Sequence, residues 1–427
     1  MHNKIVIYFV LFYVYGTLIL DNEGHNGGDK ACLVSTNCYL VEKVMKDIDK
    51  VNALLTQGEN SGVEFKTSQA HPDSVAREMT AFANSQGGTL LIGVNDNGTI
   101  EGVYNIKIWE QWIANIARHN IIPPINVKYK QIDIQGKPIG VIDIPKGCDK
   151  PYQTSKNQFL VRIGSTSRVA TQGELMRLFQ QAGVFHYDLT GVTRTSVKDL
   201  NITKIAEYFQ RYDVDITQED DQHNLLCNTD ILTEDGLVTV GGLMVFGIQP
   251  QRYLHNSSIT YAHFAGSRTD ADLIDRQLIE GTIDMQIDSC MAVIRNNFFE
   301  SSTIRGAKRI IQNVRYPEKV FRELLVNACV HRNYAISGSR IRIFHFDDKI
   351  EFISPGRLPN TVTIEKLKRG VSYAVNPVLL KFMENLRYID KLGRGIPMVI
   401  HEAAKLGFQP EFAEIGDEFQ VVLPLKH

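Results

Sequence analysis

The residues in this sequence best suited to chemistry fall into three sets. Glu59, Glu64 and Asp96 are carboxylates placed around two apolar runs. Glu64 and Lys66 lie two apart, so on a strand their side chains share a face. Asp96 falls where the apolar run 89–94 ends, and strand ends are a usual place for reacting groups in α/β sheets. The plain alternative pairs Glu64 with Lys66 or a neighbouring Arg and leaves Asp96 capping a turn. The second set, Glu323, Asn327 and His331, recurs every four residues and so occupies one face of a helix. Polar residues at that spacing also serve simply to face solvent. The third set is basic: Lys66, Lys150, Lys156, Arg162 and Arg168 recur along strands and loops, where they suit contact with a phosphate backbone.

Periodicity and turn signals place the elements that must position these groups. Residues 47–55 read as an amphipathic helix, 63–66 as a short strand and 74–85 as a helix. Gly87 and Gly88 permit a tight turn before a buried strand at 89–94, which ends in the turn 95–98. A strand pair brackets Gly136, 141–144 is apolar, 158–163 reads as a strand and 171–181 as a helix. Farther on, 238–247 reads as helix or strand, 257–266 as a strand and 284–298 as a helix, with no catalytic spacing. The helix 317–332 carries the i, i+4 set, and strands follow at 350–354 and 416–425, the last with alternating Phe419, Val421 and Leu423. Asp270, Asp272 and Asp275 lack the Gly and Glu of an EF-hand loop and read as a solvated acidic loop.

The 427 residues suffice for two to four domains at roughly 100–200 residues each. With 43% hydrophobic and 22% charged residues, the chain is ordinary globular material, which excludes disordered and collagen-like classes. The net charge of −2 hides an asymmetry: segment 186–304 has 8 basic against 18 acidic residues, whereas 305–427 has 20 against 13. Charge alone is a weak pointer to phosphate partners. The six cysteines, Cys32, Cys38, Cys148, Cys227, Cys290 and Cys329, form no CxxC pair, so zinc is not supported; their scatter fits reduced thiols in a cytoplasm. Residues 4–20 are almost wholly apolar and as a helix would span ~25 Å, just short of a bilayer core of ~30 Å. Because Met45 opens an amphipathic helix leading into the first domain, 1–44 is read as an extension from an upstream start-codon choice. A membrane anchor and a signal peptide are the alternatives.

Three blocks are more specific than any composition: Glu59-x4-Glu64-Phe65-Lys66, AFANSQGGTLLIGVNDNG (81–98) and FLVRIGSTSRVAT (159–171). Together and in this order they resemble the AlbA_2, or Schlafen AlbA, domain. The resemblance implies nucleic-acid binding. In the Schlafen family it also implies an RNA-cleaving site of two glutamates and an aspartate, which falls here on Glu59, Glu64 and Asp96. Three carboxylates supply oxygen ligands for Mg²⁺ or Mn²⁺, and such a metal can activate water. Bacterial proteins of this architecture are generally taken as DNA-binding regulators, so binding without cleavage is the leading expectation.

The helix with Glu323, Asn327 and His331 resembles the N-box of GHKL ATPases, where the Asn binds the Mg²⁺ that bridges the nucleotide phosphates and the Glu orients or deprotonates water. KLGRGIPMV (391–399), with Gly393 and Gly395, resembles the second glycine box, where backbone N–H groups approach phosphates. GDEFQVVLPL (416–425) resembles the closing strand of the same fold. Segment 372–397 also resembles a subgroup labelled as a RecG-helicase C-terminal region, yet no P-loop GxxxxGK[ST] occurs, so helicase activity is not expected. GHKL proteins bond the adenine amino group with an Asp. Ser354, followed by Pro355 and Gly356, stands at that position here, which forfeits charge-assisted recognition.

The expected molecule is α/β (α+β): an extension at 1–44, an AlbA/Schlafen-type domain at 45–185, an acidic linking α/β segment at 186–304 with an expected part in dimerisation, and a Bergerat/GHKL-like sandwich at 305–427. The expected function is a cytoplasmic nucleic-acid-binding regulator, DNA-binding by preference, with a degenerate module for ATP and Mg²⁺. The alternative is a Schlafen-type metal-dependent endoribonuclease acting on tRNA or other RNA, as in phage defence. A third class is an interaction protein with both sites dead. A homo-oligomer is expected, and a membrane partner only if 4–20 is a true anchor.

Overall fold

The computed structural model describes residues 45–103, 105–216, 221–299, 316–389 and 393–425. The expected extension 1–44, with its apolar run, lies outside them. Among the described residues no helix is long and apolar enough to cross a membrane.

The first body runs α1 (45–57), β1 (Val63–Lys66), α2 (Pro72–Asn84), β2 (Gly88–Ile92), α3 (Ile106–His119), β3 (Ile121–Ile122), β4 (Lys128–Ile134), β5 (Lys137–Ile144), β6 (Gln153–Thr154), β7 (Leu160–Ile163), β8 (Thr166–Val169) and α4 (Gln172–Gln181). Its sheet has the order β1-β2-β5-β4, with β1 and β2 parallel across the α2 crossover and the remaining pairs antiparallel. The alternation of β2 explains the layering. Leu90 and Ile92 pack with Val75, Met79 and Phe82 of α2, while Leu91 joins Phe65 and Val51 on the opposite side, under α1. Each fully buried side chain of this kind contributes about 1.5–3 kcal/mol relative to exposure. α2 starts where Pro72 follows the cap His71, whose Nδ1 accepts the Asp73 N–H. α4 starts with a capping box between Thr171 and Glu174.

The second body contains α5 (Ile202–Gln210), α6 (Gln222–Asn228), α7 (Val240–Phe246), β9 (Ile259–Phe264), β10 (Leu273–Ile279), α8 (Ile283–Phe299), α9 (Glu318–Val330), β11 (Ile341–His345), β12 (Lys349–Pro355), α10 (Ile364–Lys368), α11 (Pro377–Asn385), α12 (Gly395–Lys405), β13 (Glu411–Ile415) and β14 (Glu418–Pro424). Six strands form one sheet in the order β10-β9-β11-β12-β14-β13, antiparallel except for the pair β9–β11. A single apolar cluster extends from Leu200 to Leu425.

Two expectations are corrected here. Segment 186–304 is not a linker: β9 and β10 belong to the same sheet, and the same core, as β11–β14. Of the expected acidic loop, Asp270 and Asp272 lie exposed in the turn between β9 and β10, whereas Asp275 belongs to strand β10. As an edge strand with nearly every side chain exposed, β10 lacks the apolar alternation that betrays a half-buried strand. The ambiguous run 238–247 is the buried helix α7, capped by the Thr239 hydroxyl, which accepts the Gly242 N–H at 2.9 Å.

Candidate functional site

The i, i+4 set of α9 meets the glycines of α12 at a cavity of about 200 Å³. Glu323, Asn327, His331, Ser354, Gly356, Gly393 and Gly395, read from three separate stretches of sequence, all border it. Asn327 Nδ2 donates to Glu323 Oε1 at 2.7 Å and to the Glu323 carbonyl at 2.8 Å. Its amide oxygen is therefore the atom available as a hard ligand. Glu323 rests on the first residue of α12: a Cβ at Gly395 would lie 1.6 Å from its Oε1. Gly393 has φ +61° and its backbone abuts that of Gly370, whose carbonyl oxygen a Cβ would approach to 2.6 Å. Gly393 needs glycine for both the close approach and the left-handed backbone, whereas the bare Gly395 leaves room for the Glu323 carboxylate.

His331 is half-buried, and burial lowers its imidazole to about 4, so it faces the cavity neutral. Ser354 is buried at the end of β12 and donates its hydroxyl to the Ala328 carbonyl at 2.8 Å, tying β12 to α9. Its lone pairs remain acceptors for an amino group. Apolar side chains, among them Phe352, Leu367, Ile396 and Val421, supply flat walls. Polar groups at one end and apolar walls elsewhere suit a ligand with a planar body and a charged tail. Sequence reasoning missed the outer wall, residues 370–375 with Tyr373; the signal was Gly370, a glycine just past a short helix.

In the first body, β1 turns Val63 and Phe65 to one core and Glu64 and Lys66 together to the other side, as the spacing predicts. Lys66 donates to Glu64 Oε1. Glu64 is 6% exposed, and its Oε2 lies 2.7 Å from Arg162 Nη1, an ion-pair contact outside hydrogen-bond geometry. Arg162 also reaches Glu78 Oε2 at 3.1 Å and the carbonyls of Asn60 and Val63 at 2.8 and 3.0 Å, and lies 4.8 Å from the centroid of the Phe82 ring. Glu78, on α2, was missed because nothing local marks it as the partner of a residue on β7.

These contacts correct several expectations. The three carboxylates are engaged separately: Glu64 is claimed by Arg162 and Lys66, Glu59 accepts the Phe65 N–H at 3.0 Å, and Asp96 is exposed on its turn. Among the described residues no three His, Cys, Asp or Glu side chains are placed to hold a metal ion. Burial raises the Glu59 carboxyl, and the neighbouring Glu64 and Asp96 charges push the same way. Arg162 is not a phosphate contact, since its side chain is 1% exposed. Lys150 is likewise buried, donating to the Ser85 carbonyl at 2.7 Å, and burial pushes its ammonium down to about 7. Lys156 and Arg168 are accessible but paired, with Asp73 at 2.6 Å and with both oxygens of Glu174 at 2.7 and 2.9 Å.

The molecule is thus of mixed α/β class, with a buried ionic cluster in one body and a glycine-edged cavity in the other. Residues 59–171 match the family described as "Schlafen, AlbA_2", and residues 338–423 match that described as "Putative ATP-dependent DNA helicase recG C-terminal". Both resemblances read from the sequence hold over those spans. No curated protein matches the chain. Among solved structures it is similar to the DIP2311 protein from Corynebacterium diphtheriae, at 20% identity and a TM-score of 0.43, over 86% of this chain and 65% of that one. It is also similar to the N-terminal domain of a RecG-related protein from Nitrosomonas europaea, at 22% identity and a TM-score of 0.23, over 30% of this chain and 93% of that domain. The chain therefore spans 65% of the length of the DIP2311 structure.

Proposed function

We propose that this chain is a nucleic-acid-binding regulator whose C-terminal cavity takes a Mg²⁺-nucleotide. The observation that carries the nucleotide reading is the convergence of seven separately read residues on one cavity. The residues fit the ligand. The Asn327 amide oxygen is a hard ligand for Mg²⁺, which when bound would neutralise phosphate charge. The close-packed backbone at Gly393–Gly395, at the start of α12, offers N–H groups to phosphates. Ser354 accepts from a base amino group without a charge. Glu323, held by Asn327 and lying over Gly395, is placed to orient water. In the first body the engaged carboxylates favour nucleic-acid binding over cleavage, with Lys156 and Arg168 exchanging a carboxylate for a phosphate.

Calorimetry of the full chain with ATP, GTP and ADP, each with and without Mg²⁺, tests the nucleotide reading. Binding should require Mg²⁺ and discriminate ATP from GTP poorly. The missing charged bond at Ser354 costs about 1.5–3 kcal/mol, roughly one to two decades of affinity. Asn327→Ala should remove the metal dependence. No binding of any nucleotide at millimolar concentration would leave the cavity a scaffold without this chemistry.

A further inference from the structure

The outer wall of the cavity is also the surface on which the AlbA-like body is seated. Glu414 joins the two: its Oε2 pairs with Lys146 at 2.5 Å, and its Oε1 accepts the N–H of Leu358, a cavity residue, at 2.9 Å. Asn360 donates its backbone N–H to the Gln181 carbonyl at 3.1 Å and its side-chain amide to the Lys150 carbonyl at 3.1 Å. Beyond α4 the connecting chain then runs beside the same wall. Gly183, at φ +71°, receives Tyr373, whose hydroxyl would lie 1.6 Å from any Cβ there. His186 Nδ1 lies 3.4 Å from the Val375 carbonyl. Asp188 accepts the N–H groups of Val378 and Leu379, at 2.7 and 3.1 Å, where α11 begins. Tyr373 and Val375 border the cavity on their other side.

We propose that residues 357–379 form a coupling strap, so that occupancy of the cavity and seating of the AlbA-like body are one linked equilibrium. This rests on the nucleotide reading of the cavity. A ligand shifts a conformational equilibrium only through its differential contact with the two states. Here that contact is direct, because one stretch of backbone presents Leu358, Tyr373 and Val375 to the ligand and pins 146–150 and 181–188 behind it. The contacts hold the wall in place, so a seated body prearranges the cavity. By reciprocity, ligand in the cavity tightens the seating by the same factor. A phosphate-bearing ligand would in this way govern how freely the nucleic-acid-binding body moves.

Hydrogen exchange of the full chain, ligand-free and with Mg-ATP, tests the strap. In the ligand-free protein Lys146→Ala should speed exchange not only at 145–151 but also at 371–375, which Lys146 does not touch. Tyr373→Ala should speed it at 145–151. Lys130→Ala, which removes an ion pair with Asp47 remote from the strap, should do neither. Mg-ATP should slow exchange at both 357–375 and 181–188, and Lys146→Ala should weaken its affinity about five-fold. Exchange that changes only beside each substituted residue overturns the strap, as does nucleotide protection confined to the cavity with unaltered affinity in Lys146→Ala. If Mg-ATP does not bind at all, the nucleotide reading fails, and the ligand-free exchange still decides whether the strap is a single unit.

Discussion

Replacing Arg162 by Ala isolates the structural role of a residue whose type suggests phosphate contact. Its side chain is 1% exposed and compensates two carboxylates, Glu64 at 2.7 Å and Glu78 at 3.1 Å, while bonding the carbonyls of Asn60 and Val63. Removing one partner of a buried ion pair costs about 3–5 kcal/mol, because the other charge is left uncompensated. Lys66 stays beside Glu64 and offsets part of this, whereas the orphaned carbonyls add about 1 kcal/mol each. The expected loss is therefore still about 3–5 kcal/mol, or on the order of 10 °C in the melting temperature of a body this size. The assay is unusually selective. The only two tryptophans in the sequence, Trp109 and Trp112, sit edge-to-face on α3 at 4.9 Å, so indole fluorescence during urea unfolding reports on the AlbA-like body alone. Arg162→Lys, which keeps the charge but loses the fork, should recover less than half of the loss. A fluorescence transition within about 1 kcal/mol of the parent would refute the internal role and return Arg162 to the candidate nucleic-acid surface.

Two further outcomes follow from the cavity. His331 titrates near 4 when folded against roughly 6.5 when unfolded, so the unfolded chain takes up the proton first and stability falls as pH drops from about 6.5 towards 4. His331→Gln should therefore gain about 1–2 kcal/mol relative to the parent between pH 7 and pH 5, read from urea midpoints; parallel pH profiles would show that the imidazole is not buried neutral. Gly395→Ala should leave unfolding within about 1 kcal/mol, since Ala suits a helix start, yet its Cβ displaces Glu323 and disturbs the bond to Asn327. Mg-ATP binding should weaken at least as much as in Asn327→Ala, and parental affinity by calorimetry would show that this arrangement is not used.

What the sequence disclosed was local. β1 appears with the limits read from the sequence, and the helix read at 171–181 appears as α4, Gln172–Gln181. The cavity was legible because its residues come in short, regular groups, and a helix repeats its face every four residues. Arg162 and Lys150 were misread because residue type speaks of charge but not of burial or of who has already engaged it. Arg162 meets Glu78 across 84 positions and Lys156 meets Asp73 across 83. The place of segment 186–304 was hidden for a related reason: β9 enters the C-terminal sheet by parallel pairing with β11, a partner some eighty residues away that no local pattern announces.

The order of strands in that sheet bears on how the chain can be made. β14 is the last strand in sequence, yet it lies between β12 and β13 and pairs with both. On the ribosome the AlbA-like body is complete once residue 181 has emerged, whereas β12 waits for residues 418–424 with one row of N–H and C=O groups unpaired. An open edge of that kind invites pairing with another chain. Removal of residues 418–424 would leave β12 and β13 permanently in that condition. Quality control in the cell would thus meet this sheet at its weakest in the interval between the emergence of β12 and that of β14.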